Sequence, residues 1–245
     1  MTVSVVIPAY NDEQALPLVL QELPRDRVSH IIVVDNGSTD RTFAVAQAAG
    51  VMVVFEPRRG YGQACQSGLR VVAPDTDVVV FLGADHADFP DDLPAVLAPI
   101  ERGEADLVIG SRILGFAEAV PPPRHGTSST AWTVPSRSPD ELTPPQRFGN
   151  WLACRLIALR FGRRFTDLGP FRAIRKEALA RLGLQDHADG WNVEMQVKAL
   201  KAGLRVVEVP VRCRTRLGGS DRSGTISGTM KAGAGIVAAI ARHSW

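Results

Sequence analysis

One short stretch limits what this chain can become. Val78, Val79, Val80, Phe81 and Leu82 form an unbroken apolar run rich in β-branched residues. Such a run is a strand buried on both faces, as in a parallel sheet covered by helices. At its carboxyl end the chemistry changes at once. Gly83, Ala84, Asp85, His86 and Asp88 follow, and Pro90 opens a predicted helix whose first turn carries Asp91 and Asp92. Ligands of open α/β sheets sit outside the carboxyl ends of strands, so acidic side chains there can hold a divalent cation against a bound diphosphate. The ordinary structural alternative is that Asp88 caps the helix while Asp91 and Asp92 complement its dipole, which leaves Asp85 unexplained.

The same rhythm recurs upstream. Val3 to Ile7 reads as a strand ending in Pro8-Ala9-Tyr10-Asn11-Asp12, and a helix is predicted from about Glu13 to Leu23. Ile31 to Val34 gives a second buried strand, ending in Asp35-Asn36-Gly37-Ser38-Thr39-Asp40. Strand, polar loop, helix and strand is the pattern of parallel βαβ units. Asn36-Gly37 and Asp40 have the chemistry of a turn and a helix cap. Asp35 is different, a carboxylate at a strand's carboxyl end, placed to accept hydrogen bonds from a nucleotide's base or ribose. Val51 to Phe55 is a third strand, after which Arg58-Arg59-Gly60-Tyr61-Gly62-Gln63-Ala64 enters a helix. Two glycines there let backbone approach a ligand, and a helix amino terminus beside two arginines suits a phosphate. Leu107 to Ile109 makes a fifth strand, ending in Gly110-Ser111-Arg112.

With 245 residues, 45% of them hydrophobic and 22% charged, the chain fits one large globular α/β domain. It has no apolar run long enough to span a bilayer, and Met1 to Tyr10 enters a strand directly without signal-peptide features, so a cytoplasmic location is expected. Cys65, Cys154 and Cys213 lack metal-ligand spacing and are expected as buried thiols of a reducing compartment. The net charge of +2 conceals an asymmetry: from Lys201 onward eight basic residues face two acidic ones, so this tail is +6 and the remainder about −4. Anionic groups are drawn to one end of such a molecule. No nucleic-acid-binding motif accompanies the charge, and nucleic acid is not expected as a partner.

The second half opens with a break in composition. Gly115 to Pro145 is rich in Pro, Ser and Thr without hydrophobic periodicity, so a long loop is expected there, either a surface insertion or an active-site lid, with Trp132 its docking aromatic. From Arg147 onward Phe148, Trp151, Leu152, Leu156 and Leu159 recur at helical spacing, with Arg155, Arg160, Arg163 and Arg164 among or after them. This face is expected to pack on the core, interfacial lipid contact being the alternative. Glu194 and Lys198, four apart in the helix after Gly190-Trp191, are expected as a surface ion pair. Val206 to Val211 reads as a last strand, followed by a basic segment with Arg214, Arg216, Gly218, Gly219, Ser220 and Arg222. Thr229 to Ile240 reads as a small-residue helix too short and too weakly apolar to cross a membrane.

VVIPAYND, VVDNGSTD, RRGYGQA, FLGADHADFPDDL, VIGSR, TDLGPFRAIR, GWNVEMQVKAL and the closing SGT repeats stand in the order found in family 2 of the glycosyltransferases. The chain resembles that family's dolichyl-phosphate mannose or glucose synthases and related bacterial enzymes, over nearly its whole length apart from about 116–145. The resemblance implies a GT-A fold, a Rossmann-like, mostly parallel sheet flanked by helices in a single domain. It further implies inverting transfer of a hexose from a nucleoside diphosphate sugar, UDP-glucose or GDP-mannose, with Mg²⁺ or Mn²⁺ as cofactor. Implied nucleotide contacts fall at Pro8, Ala9, Tyr10, Asp12, Asp35, Gly37, Asp40, Arg59, Gly60, Gly62, Ala84, Asp85 and Arg216. Asp85 matches the second aspartate of the metal-binding DxD motif, but Gly83 stands at the first, and Asp88 or His86 is the candidate compensating ligand.

Arg112 and Arg147 match positions that hold an acceptor phosphate in the family, and Asp167 lies in a stretch lining the sugar and acceptor side. A polyprenyl phosphate acceptor at the inner face of the cytoplasmic membrane, with peripheral contact by the basic tail and the helix after Arg147, is the resulting expectation. An ionised acceptor phosphate needs no strong base, whereas a soluble hydroxyl acceptor would need a carboxylate such as Asp167. Two other readings stay open, a sugar-phosphate nucleotidyltransferase and a nucleotide-sugar binder weak in catalysis. The lack of a glycine-rich, lysine-containing amino-terminal loop argues against the first, and Gly83 favours the second. A homo-oligomer is compatible with either.

Overall fold

The computed structural model describes residues 1–117 and 144–217. Its centre is a seven-stranded sheet built from β1 (Val3–Ala9), β2 (His30–Asp35), β3 (Met52–Phe55), β4 (Val78–Phe81), β5 (Leu107–Ser111), β6 (Arg172–Arg175) and β7 (Val206–Pro210). The spatial order is β3-β2-β1-β4-β6-β5-β7. All neighbours run parallel except β6, which is antiparallel to both β4 and β5. From β1 the chain moves outward to β2 and β3, then returns to place β4 on the other side of β1. That reversal is a switch point, and it opens a crevice at the carboxyl ends of β1, β2 and β4.

The apolar runs are unbroken because both faces of the sheet are covered. Alternate side chains of one strand feed opposite layers. Val79 and Phe81 of β4 join Val6, Ile109 and Trp191 in one buried cluster, while Val78 and Val80 join Val5, Ile7 and Val108 in the other. The second layer is closed by α1 (Leu16–Glu22), α2 (Thr42–Ala48) and α4 (Leu93–Glu101), through Leu16, Val19, Ala46, Val96 and Leu97. The first is closed by α3 (Tyr61–Leu69), α6 (Pro144–Phe161), α7 (Lys176–Leu182) and α8 (Trp191–Lys201). Trp191 is fully buried and meets Phe81 edge to face, with ring centroids 6.1 Å apart.

Several expectations change here. The first helix begins at Leu16, because the Ala15 and Leu16 amides first close a turn onto the Asp12 carbonyl. Pro90–Asp92 is a 3₁₀ turn preceding α4, and Asp92 binds the Arg212 backbone and guanidinium rather than merely facing a helix dipole. The stretch around Phe171 holds β6, a strand absent from the sequence reading. The ends of the expected loop from Gly115 to Pro145 fall in α5 (Arg112–Ala117) and α6, and 118–143 lie outside the described residues. Trp132, Arg222 and the predicted helix from Thr229 to Ile240 lie outside the described residues. Cys65 and Cys154 are buried free thiols, whereas Cys213 is half-exposed.

The predicted surface pair on α8 is also different. Glu194 is fully buried, salt-bridged to Lys198 at 2.7 Å, and accepts the amides of Gln185 (2.9 Å) and Asp186 (2.7 Å). It therefore shapes the loop before α8 instead of decorating a surface.

Candidate active site

Backbone direction brings four loops to the crevice. At one end Asn36, 4% exposed, donates from Nδ2 to the carbonyls of Glu56 (3.1 Å) and Arg58 (2.7 Å) and accepts the Gly60 amide at 2.8 Å. One asparagine thus braces the whole turn after β3. Glu56 beside it accepts bonds from Arg58, Ser67 and Gln63, and these, the Arg58 guanidinium first, hold its carboxyl far below the usual range. Arg59 is left to lie over the Tyr10 ring, 3.0 Å from its centroid, beside Gly37. Asp35 is 2% exposed and accepts the Ser38 amide. Asp40 accepts the amides of Glu13 and Thr42, so it ties the two loops together.

The glycines of the Arg58 to Ala64 segment serve a different end from the one expected. A Cβ on Gly60 would lie 2.0 Å from the His187 carbonyl oxygen, and one on Gly62 would lie 2.1 Å from that of Asp186. What these glycines admit is the chain itself. The Gly62 and Gln63 amides bond the Ala188 and His187 carbonyls, so the loop shaped by Glu194 seals against α3.

The acidic centre lies between β1 and β4. Asp12 is 7% exposed and accepts the Tyr10 amide at 2.8 Å. Burial, with Asp85 and Asp40 nearby, raises its pKa to about 7. Asp85 pairs with Arg216 at 3.0 Å. Asp88 is 3% exposed, its Oδ2 has no hydrogen-bond partner, and burial raises its pKa to about 7 against the opposing pull of Arg112. Asp88 is therefore not a helix cap. A Cβ at Gly83 would lie 3.1 Å from Asp85 Oδ1 and 3.7 Å from Asp88 Oδ2, so the glycine opens directly onto both carboxylates. Two carboxylates beside an open position fit one divalent cation that completes its shell from a diphosphate. Among the described residues no group of three His, Cys, Asp or Glu side chains converges as a full protein cage. His86 gives Nε2 to Glu22 at 2.9 Å and sits at φ 60, which makes it a brace of the loop, while its buried Nδ1 has no hydrogen-bond partner.

This loop is held from outside by the segment after β7. The Arg214 amide bonds the Ala87 carbonyl, its Nε bonds the His86 carbonyl, and its guanidinium grips Glu22 of α1 while lying 4.1 Å from the Phe89 ring centroid. The Leu217 amide bonds the Asp85 carbonyl at 3.0 Å.

On the far side of Asp88 stand Arg112 and Asp167. Asp167 is fully buried and takes Arg112 in a bidentate grip, Nε to Oδ2 at 2.7 Å and Nη2 to Oδ1 at 2.8 Å. Both of its oxygens are held by Arg112, so Asp167, the carboxylate a hydroxyl acceptor would have called on as base, holds Arg112. Its loop is pinned by Glu208 of β7, which accepts the Thr166 and Asp167 amides, and by Asn150 of α6, which bonds Thr166 and Leu168. Arg147 is exposed in the first turn of α6, one turn before Asn150. It shares that helix with Asn150, which holds the Asp167 loop.

Comparison with known proteins identifies the family. A family model described as Glycosyl transferase family 2 matches residues 4–183. The chain belongs to glycosyltransferase family 2. It is 37% identical over 230 residues to an uncharacterized glycosyltransferase of Mycobacterium tuberculosis, covering 93% of each. It is 32% identical over 242 residues to an undecaprenyl-phosphate mannosyltransferase of Micrococcus luteus, covering 93% of this chain and 90% of that one. Among solved structures it superposes on glucosyl-3-phosphoglycerate synthase of Mycobacterium tuberculosis, solved with Mn²⁺, UDP and glucosyl-3-phosphoglycerate, at a TM-score of 0.75 and 22% identity, over 99% of this chain and 80% of that one. That likeness establishes the shared GT-A fold.

In this family 2 glycosyltransferase, then, Arg59 lies over Tyr10, Asp40 ties the loops after β1 and β2, Asp85 pairs with Arg216 beside Asp88 and Gly83, and Asp167 holds Arg112. Pro8 and Ala9 close β1, and Ala84 follows the end of β4. The sequence reading missed Glu22, Asn36, Glu56, Asn150 and Glu208. Glu56 stands at a strand's carboxyl end just as Asp35 does, and Glu208 is a charge inside a strand, so both carried a legible signal. No described helix is long and apolar enough to cross a membrane.

Proposed function

We propose that this glycosyltransferase moves a hexose from a nucleoside diphosphate sugar to a polyprenyl phosphate. The supporting observation is the Asp167–Arg112 pair: the carboxylate nearest the expected acceptor side is spent on fixing an arginine, and a fixed guanidinium suits a phosphate. A phosphate acceptor attacks already ionised, so no base is demanded of Asp167. The name of the Micrococcus luteus relative supports the same acceptor class. In this reading Tyr10, Asp35 and Arg59 hold the base and ribose, and Arg216 swings from Asp85 onto the diphosphate. A divalent cation, held by Asp85 and Asp88, would supply further positive charge to the departing diphosphate. Arg112 orients the acceptor phosphate for attack on the face of the sugar opposite the leaving group, giving inversion.

A second reading has one observation of its own. Asp88 is unpartnered at Oδ2 with a pKa of about 7, the value a general base for a hydroxyl acceptor should have. Labelled UDP-glucose or GDP-mannose incubated with a short polyprenyl phosphate or with hydroxyl acceptors separates the two. Product on the polyprenyl phosphate, lowered at least about a hundredfold by Arg112→Ala, is expected from the loss of a charged contact to phosphate. Product only on hydroxyl acceptors, abolished by Asp88→Asn and indifferent to Arg112→Ala, would establish the second reading.

A further inference from the structure

We propose that the outward face of α6 is a docking surface for an anionic lipid bilayer. At 3.6 residues per turn, Phe148, Trp151, Leu152, Arg155 and Leu159 fall within roughly 100° of one another. On the opposite side Ala153, Cys154 and Ile157 are buried in the core. The helix therefore satisfies the core with small and medium side chains and still presents large ones outward: Phe148 is 62% exposed, Trp151 57% and Leu159 75%. Phe148 and Trp151 form a pair, with ring centroids 5.9 Å apart. Of the face expected to pack inward, Leu156 does pack against the core, whereas Phe148, Trp151 and Leu159 turn outward. Exposed aromatic and aliphatic side chains in a stripe of this kind mark an interaction surface.

The charge identifies the occupant. From Arg147 to Arg164 there are five arginines and no acidic residue, and all five arginines are exposed. A second copy presenting the same face would set these cations against one another, a repulsion that disfavours a symmetric dimer. Anionic headgroups neutralise them while the apolar side chains enter the acyl boundary, as for helices that lie in a membrane interface. Position agrees with chemistry. Asn150 on the same helix grips the loop whose Asp167 holds Arg112, so a bilayer on α6 would bring its headgroups beside the arginine assigned to the acceptor phosphate. The inference rests on the acceptor reading for its purpose, but docking and acceptor choice can each fail alone.

The test is flotation of the full chain with phosphatidylcholine vesicles, with and without phosphatidylglycerol. Wild-type protein should float with the anionic vesicles and be released by salt. The combined Phe148→Ser, Trp151→Ser and Leu159→Ser variant, changed only at exposed positions and checked by circular dichroism, should lose at least about tenfold in partition. Arg155→Glu should weaken anionic-vesicle binding, and the blue shift of tryptophan emission on adding vesicles should vanish in Trp151→Phe. Transfer to a water-soluble short-chain polyprenyl phosphate should be unchanged in the triple variant, while transfer to acceptor embedded in vesicles falls. Wild type that stays with the unbound fraction, or a triple variant that floats equally well, would overturn the proposal. So would a wild-type dimer in light scattering that the triple variant abolishes.

Discussion

Asp12 shows what burial does to a single carboxyl. Its folded pKa of about 7 stands above an ordinary value of 3.8. Between those two values the folded state keeps a proton that the unfolded chain releases, so the stability from that proton is full at low pH and is lost as pH rises through 7. Asp12→Asn keeps an oxygen for the Tyr10 amide and removes the titration. Urea melts should show this variant gaining on wild type from pH 4 to pH 8, by at most roughly 4 kcal/mol at about 1.4 kcal/mol per pKa unit. Parallel pH curves for the two proteins would contradict the assignment. Gly83 is the complementary case, because a side chain there would aim at Asp85 and Asp88. Gly83→Asp should lower stability without metal through like-charge repulsion and raise Mn²⁺ affinity at least about tenfold through an added ligand charge. An unchanged Mn²⁺ titration by calorimetry would refute that geometry.

At the scale of elements, the crevice is supported by contacts between loops rather than by any one loop. Glu194 shapes residues 185–188, which seal against the amino end of α3, whose entry is braced by Asn36. Gly60→Ala and Gly62→Ala each force a methyl into a carbonyl oxygen, and Gly60 also sits at φ 152, so each should cost about 1–3 kcal/mol or more. Gly149→Ala meets nothing within 4 Å and replaces a helical glycine, so it should raise stability by up to about 1 kcal/mol. Thermal melts of the three variants check both signs together; equal small effects at positions 60 and 149 would exclude the seal.

For the whole molecule, the candidate site draws on segments from Tyr10 to Leu217 that are joined by contacts across great sequence distance. Arg112 and Asp167 are 55 residues apart, Glu208 and Thr166 are 42 apart, and Glu22 and Arg214 are 192 apart. Binding of a nucleotide sugar with Mn²⁺ should therefore slow amide exchange at residues 10–12, 85–88 and 211–217 together. Asp85→Ala should remove the Mn²⁺-dependent part at all three segments. Protection confined to residues 10–12 would mean that the segment after β7 does not share the site.

Much of this was written locally. The run from Val78 to Leu82 required a strand covered on both faces, the strand-loop-helix rhythm required a parallel sheet, and the Asp35 and Asp85 positions located its crevice, because side-chain period and strand-end chemistry are properties of a few consecutive residues. The motifs around them identified the family. Tertiary structure alone decided that β6 runs antiparallel, that Gly60 and Gly62 face His187 and Asp186, that Asp167 is consumed by Arg112, and that α6 turns Phe148, Trp151 and Leu159 away from the core. Each of these depends on which distant segment arrives at a given side chain. A hydrophobic period records that a face is apolar but not what covers it, and an aspartate carries the same letter whether its oxygens are free or already held.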